Sequence, residues 1–218
     1  MIRRVPALLA KTILLLIALL AVLSLLYIVV TPPSTLMLGR WLTLKSVERQ
    51  VVPIEEISPH LRLMVIASED GQFCRHHGVD WDQVRIVIES GARRGASTIS
   101  MQTAKNVFLW PQRSYVRKAL EIPLAMWLDL IWSKHRMLEI YLNVAEWDEG
   151  VFGAEAAARH YFNKPAGALT QREAALLATA LPSPVARNPG RPSANHARLA
   201  ERLAARAVRS GPIANCVN

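Results

Sequence analysis

The stretch ASEDGQFCRHHG, Ala67 to Gly78, closes an apolar run with two adjacent acids, Glu69 and Asp70, followed by Phe73, His76, His77 and Gly78. A carboxyl at the end of a buried helix has the setting of a general base, because apolar neighbours raise its pKa toward working pH. As a metal site the stretch is poor: His76 and His77 are adjacent, point to different sides, and no further His follows at ligand spacing. A second polar group lies in RRGASTISMQTAKN, Arg93 to Asn106. There a Gly-led turn opens a helix with Ser97 and Thr98 at its start, where backbone donors and the helix dipole favour anions. Gln102, Lys105 and Asn106 fall on one face of that helix, which also reads as a capped helix with a solvated side. The order Gly-x4-Gly-Lys-Ser/Thr of a nucleotide loop is absent. A third group is RSYVRKALE, Arg113 to Glu121, with Arg117 four residues and Lys118 three residues before Glu121. Each such pair alone reads as a surface salt bridge worth a few tenths of a kcal/mol. Together the three groups hold two separated carboxylates among Lys, Arg, Ser, Gln and Asn. That equipment suits activating a sugar hydroxyl and neutralising an anionic leaving group.

The elements that position these groups read as helices. Apolar residues recur three and four apart in LRLMVIASED, WDQVRIVIESGARR, SYVRKALEIPLAMWLDLIW, KHRMLEIYLNVA, GAEAAARHYF and TQREAALLATAL, and no alternating strand of more than a few residues competes. Ser58 and Thr170 stand at helix starts, the latter with Glu173 as a capping box, and Gly91 and Pro182 stand at helix ends. Pro123 is expected to end or kink its helix near Ile122. NPGRPS near residue 190 is a loop before a last basic helix, whose Arg198 and Arg202 are expected to lie away from the chemistry.

Thr12 to Val30 is 19 residues without a charge, long enough to cross the roughly 30 Å hydrocarbon layer as a helix. It is longer than the core of a signal peptide, with no small-x-small site before Thr31-Pro32-Pro33, and reads as an uncleaved anchor. Arg3, Arg4 and Lys11 precede it, and no acid occurs before Glu48. The bulk of the chain is therefore expected outside the cytoplasm. The expected organisation is a cytoplasmic basic flank over 1–11, a transmembrane anchor over 12–30, a connector over 31–44 and one domain over 45–218. That length, with 51% hydrophobic, 20% charged and 6% aromatic residues, can bury a sizeable core. Of the net charge of +9 the flank supplies +3, leaving +6 outside. Such a surface favours anionic lipid headgroups, polyprenyl diphosphates or wall polymer over nucleic acid. Two cysteines, Cys74 and Cys216, are too few for a disulfide framework.

In order along the chain, Glu69-Asp70-x-x-Phe73-x-x-His76-x-Gly78, Gly95-Ala96-Ser97-Thr98-Ile99-x-x-Gln102-x-x-Lys105-Asn106, Arg117-Lys118-x-x-Glu121, KHRMLEIYLN and GVFGAEAAARHYFNKP resemble the five motifs of the family 51 peptidoglycan glycosyltransferases. The single anchor and one short domain look most like the monofunctional biosynthetic peptidoglycan transglycosylases. The resemblance covers roughly residues 45 to 190. It implies a mostly α, lysozyme-like glycosyltransferase domain with one N-terminal transmembrane helix and a small membrane-embedded lobe. The implied reaction polymerises lipid II, with inversion, into β-1,4-linked glycan and releases undecaprenyl diphosphate.

By motif position Glu69 matches the general base and Glu121 the second essential carboxylate. Asp70, Ser97, Gln102, Lys105, Asn106, Arg113 and Arg117 match the substrate-binding groups. No metal site and no built-in cofactor are expected, although a divalent cation, Mg or Mn, could share the charge of the diphosphate. The implied partners are lipid II, the growing glycan strand, membrane lipid and other cell-wall synthesis or division proteins, with no nucleic acid. The implied place is the bacterial inner membrane, single-pass, with the domain on the periplasmic side. Met101 stands where the family usually has Gln.

A lysozyme-like lytic transglycosylase is the alternative, but cleaving existing glycan needs no diphosphate clamp. A non-catalytic scaffold of the wall-building machinery is a further rival. A bifunctional penicillin-binding protein is excluded, since no Ser is followed three residues later by Lys and no Lys-Thr-Gly or Lys-Ser-Gly occurs.

Overall fold

Ser58, Thr98, Ser114, Ser133 and Thr170 each place a hydroxyl oxygen on a backbone N–H two or three residues ahead, so five helices start where the sequence offers a cap. Thr170 and Glu173 complete the capping box, and Gly91 ends its helix in the left-handed conformation. The computed structural model describes residues 4–91, 95–112, 114–209 and 213–217.

Its helices are α1 (Arg4–Leu26), α2 (Thr35–Leu42), α3 (Pro59–Glu69), α4 (Trp81–Ser90), α5 (Ile99–Phe108), α6 (Tyr115–Ile131), α7 (Lys134–Val144), α8 (Ala154–Phe162), α9 (Gln171–Ala180) and α10 (Ala194–Arg209). The fold is mostly α, as expected. The short strands β1 (Glu48–Arg49), β2 (Glu146–Asp148) and β3 (Val151–Phe152) form a sheet in the order β1-β3-β2. Glu48 lies opposite Val151 in the parallel pair and Glu146 opposite Phe152 in the antiparallel one.

The core gathers around α7, whose Met137, Leu138, Ile140, Tyr141, Leu142, Asn143 and Val144 are all buried. A helix enclosed on every side needs partners all round, and α5, α6 and α8 supply them. Asn143 is the polar pin of this region. Its Oδ1 accepts from Val52 N at 3.1 Å, and its Nδ2 donates to the carbonyls of Val52 and Glu139, both at 2.9 Å. A second layer sets α9 between α3 and α10.

Two expectations are corrected and one is narrowed. Helix α6 runs through Pro123, so of the expected end or kink the end does not occur. Proline removes the bond to Ala119, and both residues lie on the exposed side, where the freed carbonyl is not enclosed. Residues 31–44 are more than a connector, because α2 buries Met37 completely and packs on α5, and the Thr35 hydroxyl donates to the Leu109 carbonyl at 2.5 Å. The apolar N-terminal helix starts at Arg4 and ends at Leu26, earlier than the expected Val30. Its last turn docks on the domain: the Trp132 indole donates to the Ser24 carbonyl at 2.8 Å, the Trp127 indole to the Ser24 hydroxyl at 3.0 Å, and Arg136 Nε to the Tyr27 carbonyl at 3.0 Å.

Cys74 and Cys216 are joined in a disulfide across 142 residues of sequence. The bond ties the C-terminal tail to the loop after α3, where Ala214 and Val217 are buried and the Val217 carbonyl accepts from Arg62 Nη1 at 3.0 Å. A bond closing so long a loop removes much freedom from the unfolded chain. The double variant Cys74→Ser/Cys216→Ser is expected to lose about 2–5 kcal/mol of stability in denaturant titration. Reductant should lower the wild-type midpoint to the same value and leave the double variant unmoved; an unchanged midpoint in both would show that the tail is held by packing alone.

Candidate active site

Helix α3 buries Leu61, Met64, Val65, Ile66 and Ala67, and its last residue is Glu69. The carboxylate accepts from Gln102 Nε2 at 3.0 Å and from the Ser68 hydroxyl at 3.3 Å. Gln102 is held in that orientation by the Tyr141 hydroxyl, which donates to its Oε1 at 3.2 Å. Burial pushes the Glu69 carboxyl above its ordinary range. The bonds from Gln102 and Ser68 oppose that shift, the neighbouring charge of Asp70 adds to it, and the charge of Lys105 opposes it. Burial, together with the charges of Glu69 and Asp70, pushes the Tyr141 phenol well up, so it stays a donor.

Asp70, expected among the substrate contacts, lines the cleft and also holds the site together. It is buried at 7% exposure, His76 Nε2 lies 2.9 Å from both of its oxygens, and Oδ2 accepts from the Ile99 N–H at 2.9 Å. The Asp70 carboxylate thus occupies the first turn of α5. His77 points the other way and is 96% exposed, as the adjacency of the two histidines implies. Lys134 secures the same loop, with Nζ 2.8 Å from the His76 carbonyl and 4.7 Å from the centre of the Phe73 ring. Gly78, at φ +82°, passes so close to α6 that an added Cβ would meet the Ala125 carbonyl oxygen at 2.7 Å. Only glycine allows that approach.

On the other side stands a group of cations. Arg117 Nη1 pairs with Glu121 Oε1, and Arg117 Nε donates to the Gln112 carbonyl at 2.9 Å. Lys118 Nζ donates to Glu121 Oε2 at 2.9 Å and to the Ser97 hydroxyl at 2.6 Å. Burial, then the charges of Arg117 and Lys105, lower the Lys118 ammonium to about 8. The charge of Lys105 is felt at Lys118 and Glu69 alike, so it lies between the two groups in its influence. Glu121, at 3% exposure, is shielded by its two cations.

The structure therefore brings together Glu69, Gln102, Lys105, Ser97, Arg117 and Glu121. The Asn106 carbonyl accepts from the Thr35 hydroxyl at 3.3 Å, where α5 meets α2. Arg113 lies outside the described residues. Met101 is buried at 2% exposure in the hydrophobic core, so this departure from the family pattern affects packing. Lys118 and Tyr141 belong to the site without having been named for it. Lys118 was legible from its spacing to Glu121, whereas nothing near Tyr141 in the sequence indicates that α7 carries it to Gln102. A cleft of about 630 Å³ opens beside Glu69, with Gln72, Arg75, Ser97 and Arg206 among its walls.

An enclosed carboxylate near a group of fixed cations, on a helical domain docked to an apolar helix of spanning length, is the equipment of a group-transfer enzyme. Comparison narrows this class: a family model described as Transglycosylase matches residues 37–208, and the chain belongs to that family of glycosyl-transferring enzymes. Similar proteins include the biosynthetic peptidoglycan transglycosylases of Brucella suis biovar 1 (strain 1330), 54% identical over 192 residues with 86% of each chain covered, and of Agrobacterium fabrum (strain C58 / ATCC 33970), 53% identical over 192 residues, 86% of this chain and 85% of that protein. The one from Rhodopseudomonas palustris (strain HaA2) is 51% identical over 220 residues, covering 98% of this chain and 96% of that protein.

A carboxyl whose folded pKa lies above its unfolded value stabilises the fold when protonated and loses that contribution as pH rises through the folded pKa. Ionised Glu69 is therefore a burden at neutral pH. Glu69→Gln is expected to melt above wild type at pH 8, and the gap should close as pH falls below the ordinary value of 4.5. A gap that widened on acidification would contradict the enclosed setting of Glu69.

Proposed function

We propose that this transglycosylase polymerises lipid II, a disaccharide-peptide on undecaprenyl diphosphate, into β-1,4-linked glycan strands of peptidoglycan. The observation that carries the reading is Glu69, oriented by Gln102 and Tyr141 and facing the Lys105, Arg117 and Lys118 charges. The printed names of the relatives support the same polymer.

In this mechanism the acceptor's sugar 4-hydroxyl lies in the cleft beside Glu69. Glu69 takes its proton as the oxygen attacks the donor's anomeric carbon from the face opposite the diphosphate, so the configuration inverts. The C–O bond to the diphosphate breaks as the new glycosidic bond forms, and the leaving group departs as an anion. Lys105, Arg117 and Lys118 offer fixed positive charge where that anion develops. A bound diphosphate also relieves the mutual repulsion that lowers Lys118. Glu121 acts here as a positioning residue, holding Arg117 and Lys118 in place.

Among the described residues no group of three His, Cys, Asp or Glu side chains is placed to hold a divalent cation. No step is routed through one. Two observations support a periplasmic domain on an inner-membrane anchor. Arg3, Arg4 and Lys11 gather positive charge at the N-terminal end of the apolar helix, and the Cys74–Cys216 disulfide belongs in an oxidising compartment. A lytic reaction on existing glycan would leave the cation group without a task.

Labelled lipid II, incubated with the detergent-solubilised protein, tests the reading by gel analysis of product. Glu69→Gln is expected to slow polymerisation roughly 10²-fold or more. Lys105→Met removes a charge-assisted contact worth about 1.5–3 kcal/mol, which corresponds to roughly 10- to 150-fold in rate. The acidic limb of the wild-type rate should fall at the raised Glu69 pKa, because only the ionised base accepts the proton. Wild-type turnover by Glu69→Gln would overturn the assignment.

A further inference from the structure

The Glu69 cleft does not end at Arg206. Beyond Ser68 and Arg206 it meets a depression of about 290 Å³, which in turn shares Arg187, Leu199 and Arg202 with a third hollow of about 480 Å³. Arg198 and His196 line that far end. A single furrow therefore runs from the proposed base along α10. The floor follows from the helix period: Arg198, Arg202 and Arg206 are four apart and form one stripe, while His196, Ala200, Leu203 and Ala207 are buried. Arg198 and Arg202, expected to lie away from the chemistry, line this furrow.

Like charges four apart on a helix repel one another. Among the described residues no acid forms an ion pair with Arg187, Arg198 or Arg202. Two of them are held by neutral acceptors: Arg187 donates to the Thr179 carbonyl and Arg198 to the Asn195 side chain. Neutral acceptors orient a guanidinium and leave its charge uncompensated. Arg206 Nη2, nearer Glu69, donates to the Ala67 carbonyl at 2.7 Å. At the far end His196 is buried at 3% exposure; its Nε2 lies 2.9 Å from the Leu176 carbonyl and 3.0 Å from the Thr179 hydroxyl, while its buried Nδ1 has no partner.

We propose that this furrow binds the carboxylates of the peptide carried by the acceptor sugar unit. The inference rests on the disaccharide-peptide substrate proposed above. A neutral glycan gives a row of guanidinium groups nothing to bind, whereas a peptide presents carboxylates, which the planar guanidinium fork fits. The length agrees as well. Arg198 to Arg206 spans about 12 Å of helix, the reach of three to four extended residues at about 3.3–3.6 Å each. With the acceptor hydroxyl at Glu69, the peptide leaves the sugar toward Ser68 and Arg206 and lies along α10. It thereby adds binding on the side of the cleft away from the diphosphate.

The test uses the full-length protein in detergent and a fluorescent soluble disaccharide-peptide, once with free carboxylates and once fully amidated, read by anisotropy at low salt. The free acid is expected to bind about tenfold more tightly, from several charge-assisted contacts weakened by exposure. Arg187→Gln and Arg202→Gln should each cut that preference about three- to tenfold, Arg202→Lys should restore part of it, and Arg172→Gln on α9 should leave it intact. Equal affinity for the two ligands, no binding at millimolar concentration, or an equal loss in Arg172→Gln would overturn the furrow. So would Arg202→Gln weakening attachment to anionic phospholipid vesicles while the peptide preference stayed whole, since the stripe would then serve a lipid surface. Polymerisation of lipid II is scored separately: a wild type that binds the free acid preferentially but makes no glycan would sink the catalytic reading and leave the furrow standing.

Discussion

The Asp70 carboxylate is the joint on which the candidate site depends. It accepts the first N–H of α5 and meets His76 from the following loop while nearly excluded from solvent, and the backbone N–H of the same residue closes α3 on the Ile66 carbonyl. A buried charge is tolerable only when its lone pairs are met, and removing it would leave an imidazole and a helix N–H unmatched in the interior. Because Glu69 precedes Asp70 directly, and Gln102 and Lys105 sit one and two turns into α5, this joint fixes Glu69, the amide that orients it and Lys105 relative to one another. The glycine at 78 and the Lys134 contacts keep the loop closed over it.

Charge is arranged oppositely on the two sides of this joint. Glu69 is pushed toward the protonated form by enclosure, whereas Lys118 is pushed toward the neutral form by enclosure and by other cations. Each group is thus held away from its resting preference, and a substrate bringing a hydroxyl to one and an anion to the other relieves both. Buried Glu121 is too well shielded by Arg117 and Lys118 to supply that anion elsewhere. Its worth lies in making two adjacent cations bearable on one helix turn.

Local rules carried much of the fold. Periodicity marked the helices, and hydroxyl residues marked the starts of α3 and α9. The motif spacing marked Glu69, Gln102, Lys105 and Glu121 as residues to be gathered. What could not be read locally came from distance in sequence. The Cys74–Cys216 pairing spans 142 residues, Tyr141 reaches Gln102 from a different helix, and the Arg198–Arg202–Arg206 stripe gains meaning only when α10 lies against α3. The partners of Asp70 were not legible either, because the need of the first turn of α5 for an acceptor shows only once α3 and α5 are brought together. Pro123 leaves α6 unbroken because it and Ala119 lie on the exposed side, where the freed carbonyl is not enclosed.

Helix α6 joins the chemistry to the anchor. Its first turns carry Arg117, Lys118 and Glu121, and Trp127 near its end, with Trp132 just beyond, grips Ser24 of the apolar helix. Lys118 and Trp127 are nine residues apart, or about 13 Å along the axis, whereas each headgroup layer of a bilayer is only about 5–8 Å deep. On the proposed reading, an upright α6 would lift its cations well clear of the diphosphate of a membrane-held donor. An α6 laid along the surface would keep them at headgroup level, and its exposed Tyr115, Val116, Leu120, Met126, Trp127 and Leu130 would offer the apolar flank that this posture needs. On that reading the indole bonds to Ser24 would do more than attach the domain: by clamping one end of α6 to the apolar helix, they would set the level at which the cation group meets a lipid-borne diphosphate.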